Sequence, residues 1–196
     1  YVPVFWMASE DHDFEEINHF TVEGQTIYWP NKSEGPVGRM STEGLDLVLK
    51  TWKRHLGKRP HAKELQELFE QSYCKHSNLA DATRFLVHQL FGSYGLVIVD
   101  GDDPQLKQQF APYVQKECEE QLIQTTSESI MKRLEKAFQK KMKPQVNPRD
   151  VNLFYMDGSG RQRITKTNDG YDVVQTAVSF TKKELVAVLQ KHPERF

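Results

Sequence analysis

The 196-residue chain carries 26 basic and 27 acidic side chains, for a formal net charge of −1, and 38% of its residues are hydrophobic. This composition supports a hydrophobic core in one domain, or in one domain with an insertion, and it excludes wholesale disorder. The balanced charge argues against a nucleic-acid binder, and no apolar run approaches the roughly 20 residues of a membrane-spanning helix.

The two cysteines, Cys74 and Cys118, stand far apart and lack a CxxC spacing. Paired spacings are typical of zinc sites and redox motifs, and their absence favours free thiols. Free thiols persist in reducing compartments, so the sequence predicts a cytoplasmic protein.

Two apolar segments are predicted to form the centre of the fold. Residues 2–8 are nearly all apolar and uncharged, and residues 96–100 repeat this character. Uninterrupted apolar runs are typical of parallel strands buried on both faces. Acidic clusters follow both runs, and ligands of open α/β sheets bind at the carboxyl ends of the strands. We therefore expect two neighbouring strands whose acidic ends face one site.

Between these strands the pattern predicts a short helix, a hairpin and three helices. Asp13 opens a capping-box spacing, and residues 19–22 and 26–29 flank a Glu-Gly-Gln turn. A loop is expected over residues 30–39, followed by apolar stripes at helical spacing within residues 41–92. Such a helical insertion suits the long crossover that parallel strands require, so the fold class is α/β.

The second half is predicted to hold a long helix and additional strands. Asp103 caps a helix that starts at Pro104, and beyond Pro112 no breaker occurs before Pro144, which predicts a helix of about 28 residues near 113–142. Strands are expected at residues 152–156, 161–165 and 171–174, joined by tight turns at 157–160 and 169–170. A capping box at residues 181–184 predicts a final helix.

The polar cluster Glu10-Asp11-His12-Asp13 combines three carboxylates with an imidazole. Such groups act as general acid or base, orient a nucleophile, or bind a metal ion. Asp13 has the alternative role of a helix cap, and Glu10 that of a structural hydrogen-bonding partner. For Asp11 and His12 a functional role is favoured, because a charged group at a buried strand end needs a partner or ligand.

The second strand ends in Asp100, with Asp102 and Asp103 directly after it. Asp103 precedes Pro104 and is interpreted as a cap, whereas Asp100 is a candidate for contact with a ribose, an amine or a metal. Further candidates are one imidazole and three arginines that could meet a phosphate, namely His19, Arg39, Arg161 and Arg163. The sequence contains no Gly-x-Gly-x-x-Gly, Walker A or HExxH motif, so it shows no nucleotide site and predicts no metal site.

Several segments resemble a known family. Residues 3–19 read PVFWMASEDHDFEEINH, which resembles the signature of the cysteine ligases of bacillithiol synthesis, the BshC family. Agreement continues in order with GPVGRM at 35–40, LADAT at 79–83, LFG at 90–92, YGLVIVDGDDP at 94–104, NLFY at 152–155 and HPERF at 192–196. Residues 41–74 match no such signature.

This resemblance implies a Rossmann-like core with helical insertions and an enzyme that adds cysteine to glucosaminyl malate. It further implies ATP as a cofactor, by similarity to cysteine-activating enzymes, and a homodimer with a coiled coil. The implied catalytic residues are Asp11, His12 and Asp13. The implied substrate-binding residues are Glu10, Asn18, Asp100 and Asp102. Family members are more than twice as long, so we expect this chain to be an inner section of such a protein.

Two other functions stay open at this point. The same carboxylates could build a metal-dependent phosphohydrolase, for which stoichiometric Mn²⁺ or Zn²⁺ would be diagnostic. Alternatively, the predicted long helix could make the chain a non-catalytic assembly module, if its apolar face packs on a partner rather than on its own core.

Overall fold

The computed structural model describes residues 1–32, 34–144, 147–157 and 160–196. They form two compact units. The first consists of Tyr1–Asp102 with a short segment that includes Gly160, and the second of Asp103–Asp157 and Arg161–Phe196. Each unit has its own hydrophobic core. In the part of the chain that is described, no helix has the length and apolar character needed to cross a membrane.

The first unit is organised around two parallel strands. Strand β1 (Val4–Met7) pairs with β4 (Val97–Asp100) in a register that places Met7 opposite Asp100. The chain between them forms a hairpin and three helices, as the crossover argument predicts. The prediction of neighbouring strands with their polar ends at the same end of the sheet is therefore confirmed.

The prediction that β1 is buried on both faces is wrong. Val4 and Trp6 are 57% and 59% exposed, and only Met7 at the end of the strand is buried. Among the described residues this sheet has two strands, so neither strand is flanked on both sides. An apolar run reports the preference of its side chains for burial and not the number of layers that cover them.

A short helix and a hairpin follow β1. Helix α1 (Phe14–Ile17) leads into β2 (His19–Val22) and β3 (Gln25–Tyr28), which are antiparallel. Glu23 and Gly24 form the two-residue turn with φ values of 52° and 77°, the left-handed geometry that matches the twist of a hairpin. The predicted hairpin is confirmed, with its second strand starting one residue earlier. The prediction that Asp13 caps α1 is wrong, because the Asp13 side chain makes no capping hydrogen bond.

The three predicted crossover helices are present as α2 (Leu45–Leu56), α3 (Ala62–Tyr73) and α4 (Leu79–Phe91). The side chain of Asn78 accepts a hydrogen bond from the backbone N–H of Asp81 at 2.8 Å and so caps α4. The apolar stripe of α2 packs against the hairpin in a core that includes Trp52, Ile27 and Trp29. Helix packing therefore builds one wall beside the carboxyl end of β1.

The second unit begins with two helices where the sequence predicts one long one. Helix α5 (Pro104–Glu120) contains Pro112, and α6 (Leu122–Phe138) follows after a break at Gln121. The prediction of an unbroken helix near 113–142 is wrong, because Gln121 takes a left-handed φ of 53°. The Glu117 carboxylate stabilises the break by accepting the Ile123 N–H at 2.9 Å.

A small sheet and a last helix complete the second unit. Strands β5 (Phe154–Asp157), β6 (Gly160–Lys166), β7 (Tyr171–Val173) and β8 (Ser179–Phe180) lie in that order. Of the predicted turns, the one at 169–170 is present, whereas two residues of the other, 158 and 159, lie outside the described residues. The predicted capping box of Thr181 and Glu184 opens α7 (Lys182–Lys191), and the predicted Asp103 cap of α5 is also confirmed.

Candidate active site

Asp100, at the end of β4, is held by two partners on neighbouring elements. Ser9, just beyond β1, donates its hydroxyl to Asp100 Oδ1, and Arg84 on α4 donates to Oδ2 at 2.7 Å. Arg84 also donates to Asp81 Oδ1 at 2.9 Å. The carboxylate is only 10% exposed and ties β1, β4 and α4 together. Asp100 therefore has a structural role whether or not it also meets a substrate.

Asp102 is paired in the same way. Arg39 donates from Nε to Oδ2 at 2.5 Å and from Nη2 to Oδ1 at 2.8 Å. The backbone N–H of Asp102 donates to Asp100 Oδ1 at 3.0 Å, which links the two carboxylates into one network. Arg39, predicted as a phosphate ligand, thus faces a carboxylate. The other predicted arginines, Arg161 and Arg163, belong to β6 in the second unit.

Glu10 lies against the backbone of Gly101. A Cβ atom added to Gly101 would lie 2.6 Å from Glu10 Oε2, so a side chain at this position would displace the Glu10 carboxylate. Oε2 is buried and has no hydrogen-bond partner among the described residues. A buried polar atom without a partner costs free energy, and a donor group on a ligand would remove that cost. Glu10 therefore remains a candidate for substrate contact.

Asp11, His12 and Asp13 form an exposed cluster. His12 Nδ1 lies 3.2 Å from Asp11 Oδ1, and its Nε2 lies 3.7 Å from Asp13 Oδ1. One ligand atom from each residue falls within 4.8 Å of the others, close enough for a shared divalent cation. Exposed carboxylates cluster in this way without a metal as well, so the geometry allows a metal site and does not require one.

A cavity of about 380 Å³ opens in the first unit beside the carboxyl end of β1. Its walls are mostly apolar and come from β1, the hairpin and all three crossover helices. The described residues that line it carry no carboxylate, lysine or arginine. Polar atoms are contributed by Ser9, Asn18, His19, Tyr73 and Thr83. An apolar cavity with a few hydrogen-bonding groups is typical of a small-molecule site.

Asn18 and His19 stand together on this cavity wall. His19 Nδ1 lies 2.8 Å from Asn18 Oδ1, and the imidazole stacks on Tyr28 with ring centroids 5.2 Å apart. Two hydroxyl groups lie on the helical part of the wall, Tyr73 on α3 and Thr83 on α4. Burial raises the pKa of the Tyr73 phenol, and a hydrogen bond with Thr83 partly offsets that rise. The phenol therefore stays neutral at physiological pH and serves as a hydrogen-bonding group.

The structure separates the predicted site residues into two groups. Asn18 lines the cavity, together with His19, which the sequence pattern had included as a candidate. The remaining predicted residues are not among those that line it: Glu10, Asp11, His12, Asp13, Asp100 and Asp102. Sequence reasoning missed Tyr73 and Thr83, because Tyr73 continues an apolar helical stripe and looks like core. The hydroxyl group that each residue carries is the one feature of the sequence that could have marked them as polar groups of a site.

The ATP implied by the family resemblance does not fit the groups seen here. The chain lacks a glycine-rich phosphate loop. At the start of α5 the Asp103 carboxylate accepts the N–H groups of Gln105 and Leu106, which are the donors that a phosphate would use. Arg39 and Arg84 are both paired with carboxylates. None of these three features therefore offers a phosphate cradle to a nucleotide.

Comparison with known proteins identifies the family. The sequence profile described as "Bacillithiol biosynthesis BshC, N-terminal Rossmann-like domain" matches residues 1–196. Proteins named "Putative cysteine ligase BshC" align along the whole chain, with 48% identity in Flavobacterium johnsoniae and 42% in Christiangramia forsetii. The Staphylococcus aureus protein of that name is 27% identical, also along the whole chain.

The aligned region covers 36% to 38% of these relatives, so the chain spans little more than a third of their length. The profile extends from the exposed first strand to the final turn, and it includes the cavity and both arginine–carboxylate pairs. The predicted Rossmann-like fold and the predicted family are thereby confirmed. The chain belongs to the family of Rossmann-like N-terminal domains of BshC, a protein of bacillithiol biosynthesis.

Proposed function

We propose that this chain is part of a ligase that forms a C–N bond between cysteine and glucosaminyl malate. The observation that carries the proposal is the match of the family profile to all 196 residues. The proposed cysteine ligase activity is based on the names of the relatives. Glucosaminyl malate is proposed as the second substrate because of the family resemblance. The same resemblance supports a cytoplasmic homodimer with a coiled coil.

The cavity supports a small-molecule reaction at the carboxyl end of β1. Cysteine is small and partly apolar, and an apolar cavity with a few hydrogen-bonding groups suits such a substrate. The malate part carries two carboxylates and would need cationic partners, which the described cavity wall does not offer. We therefore propose that the cavity receives cysteine and the amino end of the second substrate, with the malate outside it.

A complementation experiment tests the proposed reaction. The complete protein that contains this segment is expressed in a bacillithiol-producing bacterium whose own cysteine ligase gene is deleted, and thiols are quantified by mass spectrometry. We expect bacillithiol to be restored. Accumulation of glucosaminyl malate without any thiol product, from a protein that is soluble and folded, would refute the proposal.

The predicted catalytic cluster is tested in the same strain. Asp11→Asn and His12→Ala are compared with Glu64→Gln, a matched change at an exposed carboxylate on α3. If Asp11 and His12 act in the reaction, thiol production falls in those two variants and not in the control. Unchanged production in both would remove these residues from the mechanism.

Consumption of ATP is tested separately, because the described residues supply no phosphate cradle. Purified complete protein is given cysteine and glucosaminyl malate with and without ATP, and release of AMP or ADP is measured together with the product. If parts of the complete protein outside this chain hold the nucleotide, product formation will require ATP. Product formation at an equal rate without any nucleotide would remove ATP from the reaction.

The cluster of Asp11, His12 and Asp13 is the observation that favours a metal-dependent phosphohydrolase as a second candidate. Metal analysis of the purified protein separates the two functions. A stoichiometric Mn²⁺ or Zn²⁺ ion that is lost on Asp11→Asn substitution, together with phosphatase activity, would favour the second candidate.

A further inference from the structure

We propose that His19 is the general base that accepts a proton from the ammonium group of the amino substrate. This inference rests on the proposed function and names the residue that prepares the nucleophile. His19 contributes to the wall of the cavity, and the residue is exposed, which leaves it open to a small molecule at this wall. A general base must lie within hydrogen-bond reach of the proton that it removes.

The hydrogen bond to Asn18 decides which nitrogen of His19 is available. With Asn18 Oδ1 accepting at 2.8 Å, Nδ1 carries the hydrogen of the neutral ring. Nε2 then has a free lone pair, and no described residue forms a hydrogen bond with it. This is the arrangement that a general base requires: one nitrogen held by an acceptor and the other open to the substrate.

The backbone holds both residues in place. The Asn18 N–H donates to Phe14 O at 2.9 Å, and Asn18 O accepts the Trp29 N–H at 2.7 Å. His19 lies opposite Tyr28 in the hairpin and stacks on its ring at an interplanar angle of 30°. The ring plane is thus set by Tyr28 and its rotation by Asn18, so Asn18 is a positioning residue.

His12 is less suited to this role. Its Nδ1 faces Asp11 and its Nε2 faces Asp13, so a carboxylate lies near each ring nitrogen. Each ring nitrogen of His12 therefore already has a carboxylate neighbour, and neither is as open to a substrate as Nε2 of His19. His12 is also not among the residues that line the cavity. The geometry points to His19 for proton transfer and leaves charge stabilisation or substrate contact to the cluster.

The proposed step is a proton transfer that balances by itself. The ammonium group R–NH₃⁺ gives one proton to Nε2 of neutral His19, which yields the free amine R–NH₂ and an imidazolium ion. The amine nitrogen regains the lone pair that forms the C–N bond. The imidazolium later releases its proton to water, since the exposed ring remains in contact with solvent.

The test uses the complete protein and steady-state kinetics with cysteine and glucosaminyl malate. His19→Gln and His19→Ala should lower kcat by about 100-fold or more, the usual contribution of a general base, with KM little changed. Free imidazole added to His19→Ala should restore part of kcat. Asn18→Leu should lower kcat by about 10-fold, and Asn18→Asp, which keeps the acceptor, should recover most of it. His61→Gln, at an exposed histidine hydrogen-bonded to Glu64, is the matched control.

Each outcome has one reading. A wild-type protein that forms no cysteine adduct refutes the proposed function, whereas an active wild type with equally active His19 variants overturns this inference alone. A loss of rate that appears in KM and is not rescued by imidazole also overturns it, because His19 would then only bind the substrate. Circular dichroism and thermal unfolding of each variant identify loss of fold. If His19→Ala does not fold, His19→Asn is used for the rescue.

Discussion

Arg39 and Asp102 form a bidentate ion pair, with Nε–Oδ2 at 2.5 Å and Nη2–Oδ1 at 2.8 Å, directly after the second parallel strand. The aspartate side chain is only 7% exposed and the arginine 43% exposed. A carboxylate buried to this degree needs a charged donor, and the planar guanidinium supplies two parallel ones. The pair thus anchors the loop that contains Arg39 to the polar end of the sheet.

Removal of Arg39 should destabilise the fold. In Arg39→Met, Asp102 would remain buried without its cationic partner, and we expect the free energy of unfolding to fall by about 2 kcal/mol. Arg39→Lys keeps the positive charge but cannot make the two-point contact, so its free energy of unfolding should fall by less than that of Arg39→Met. Urea unfolding measures both. A midpoint for Arg39→Met equal to that of the wild type would show that the pair contributes nothing to stability.

The two cysteines should differ in reactivity. Burial raises the pKa of Cys118 to about 11, with Glu117 and Glu119 adding to the rise. Burial also raises the pKa of Cys74, with contributions from Glu70 and Asp46, but Cys74 is exposed. The thiolate is the reactive form, so a raised pKa lowers the rate near neutral pH and moves the increase in rate to higher pH.

Alkylation with iodoacetamide, followed by mass spectrometry between pH 7 and pH 10, tests this difference. Cys74 should react first, and Cys118 should stay largely unmodified until the pH approaches 10 or urea is added. Cys74→Ser should abolish the early modification. Equal rates for both cysteines in the folded protein would contradict the structure around Cys118.

Gly38 should not tolerate a side chain. A Cβ atom at this position would lie 2.4 Å from the Cβ atom of Ser9, and the Gly38 N–H donates to Ser9 O at 2.8 Å. Gly38→Ala must push two backbone segments apart, at a cost of about 1–3 kcal/mol. Gly24→Asn is the control, since the turn at Gly24 has open space and asparagine accepts its positive φ. Equal unfolding midpoints for the two variants would refute the close approach.

Most features set by neighbouring residues, the absent Asp13 cap excepted, could be predicted from the sequence. The Asn78 cap, the capping box of Thr181 and Glu184, and the hairpin turn at Gly24 each involve residues within a few positions of one another. Hydrogen bonds over such short separations form in the same way in most folds. The parallel pairing of β1 and β4 could also be predicted, because the apolar pattern of the strands and the length of the crossover restrict the possible topologies.

Features that depend on distant contacts could not be predicted. The polar ends of the strands were placed correctly, but Arg84 and Arg39, which pair with Asp100 and Asp102, come from segments 16 and 63 residues away. The cavity wall joins residues from β1, α1, β2 and all three crossover helices, and nothing in the local pattern marks Tyr73 as part of it. The exposure of β1 likewise depends on which other elements cover the sheet.

The break between α5 and α6 can be tested by mutation of Gln121. A continuous helix and a helix broken at Gln121 predict opposite orders of stability for the alanine and asparagine variants. If residues 113–142 formed one helix, Gln121→Ala would stabilise it slightly and Gln121→Asn would destabilise it, following helix propensity. With Gln121 at a φ of 53°, asparagine fits the left-handed conformation better than alanine does. We therefore expect Gln121→Asn to unfold at a higher urea concentration than Gln121→Ala, by a free-energy difference of about 0.5–1 kcal/mol. The reverse order would mean that the helix is continuous in solution and that the Glu117 contact with the Ile123 N–H does not form.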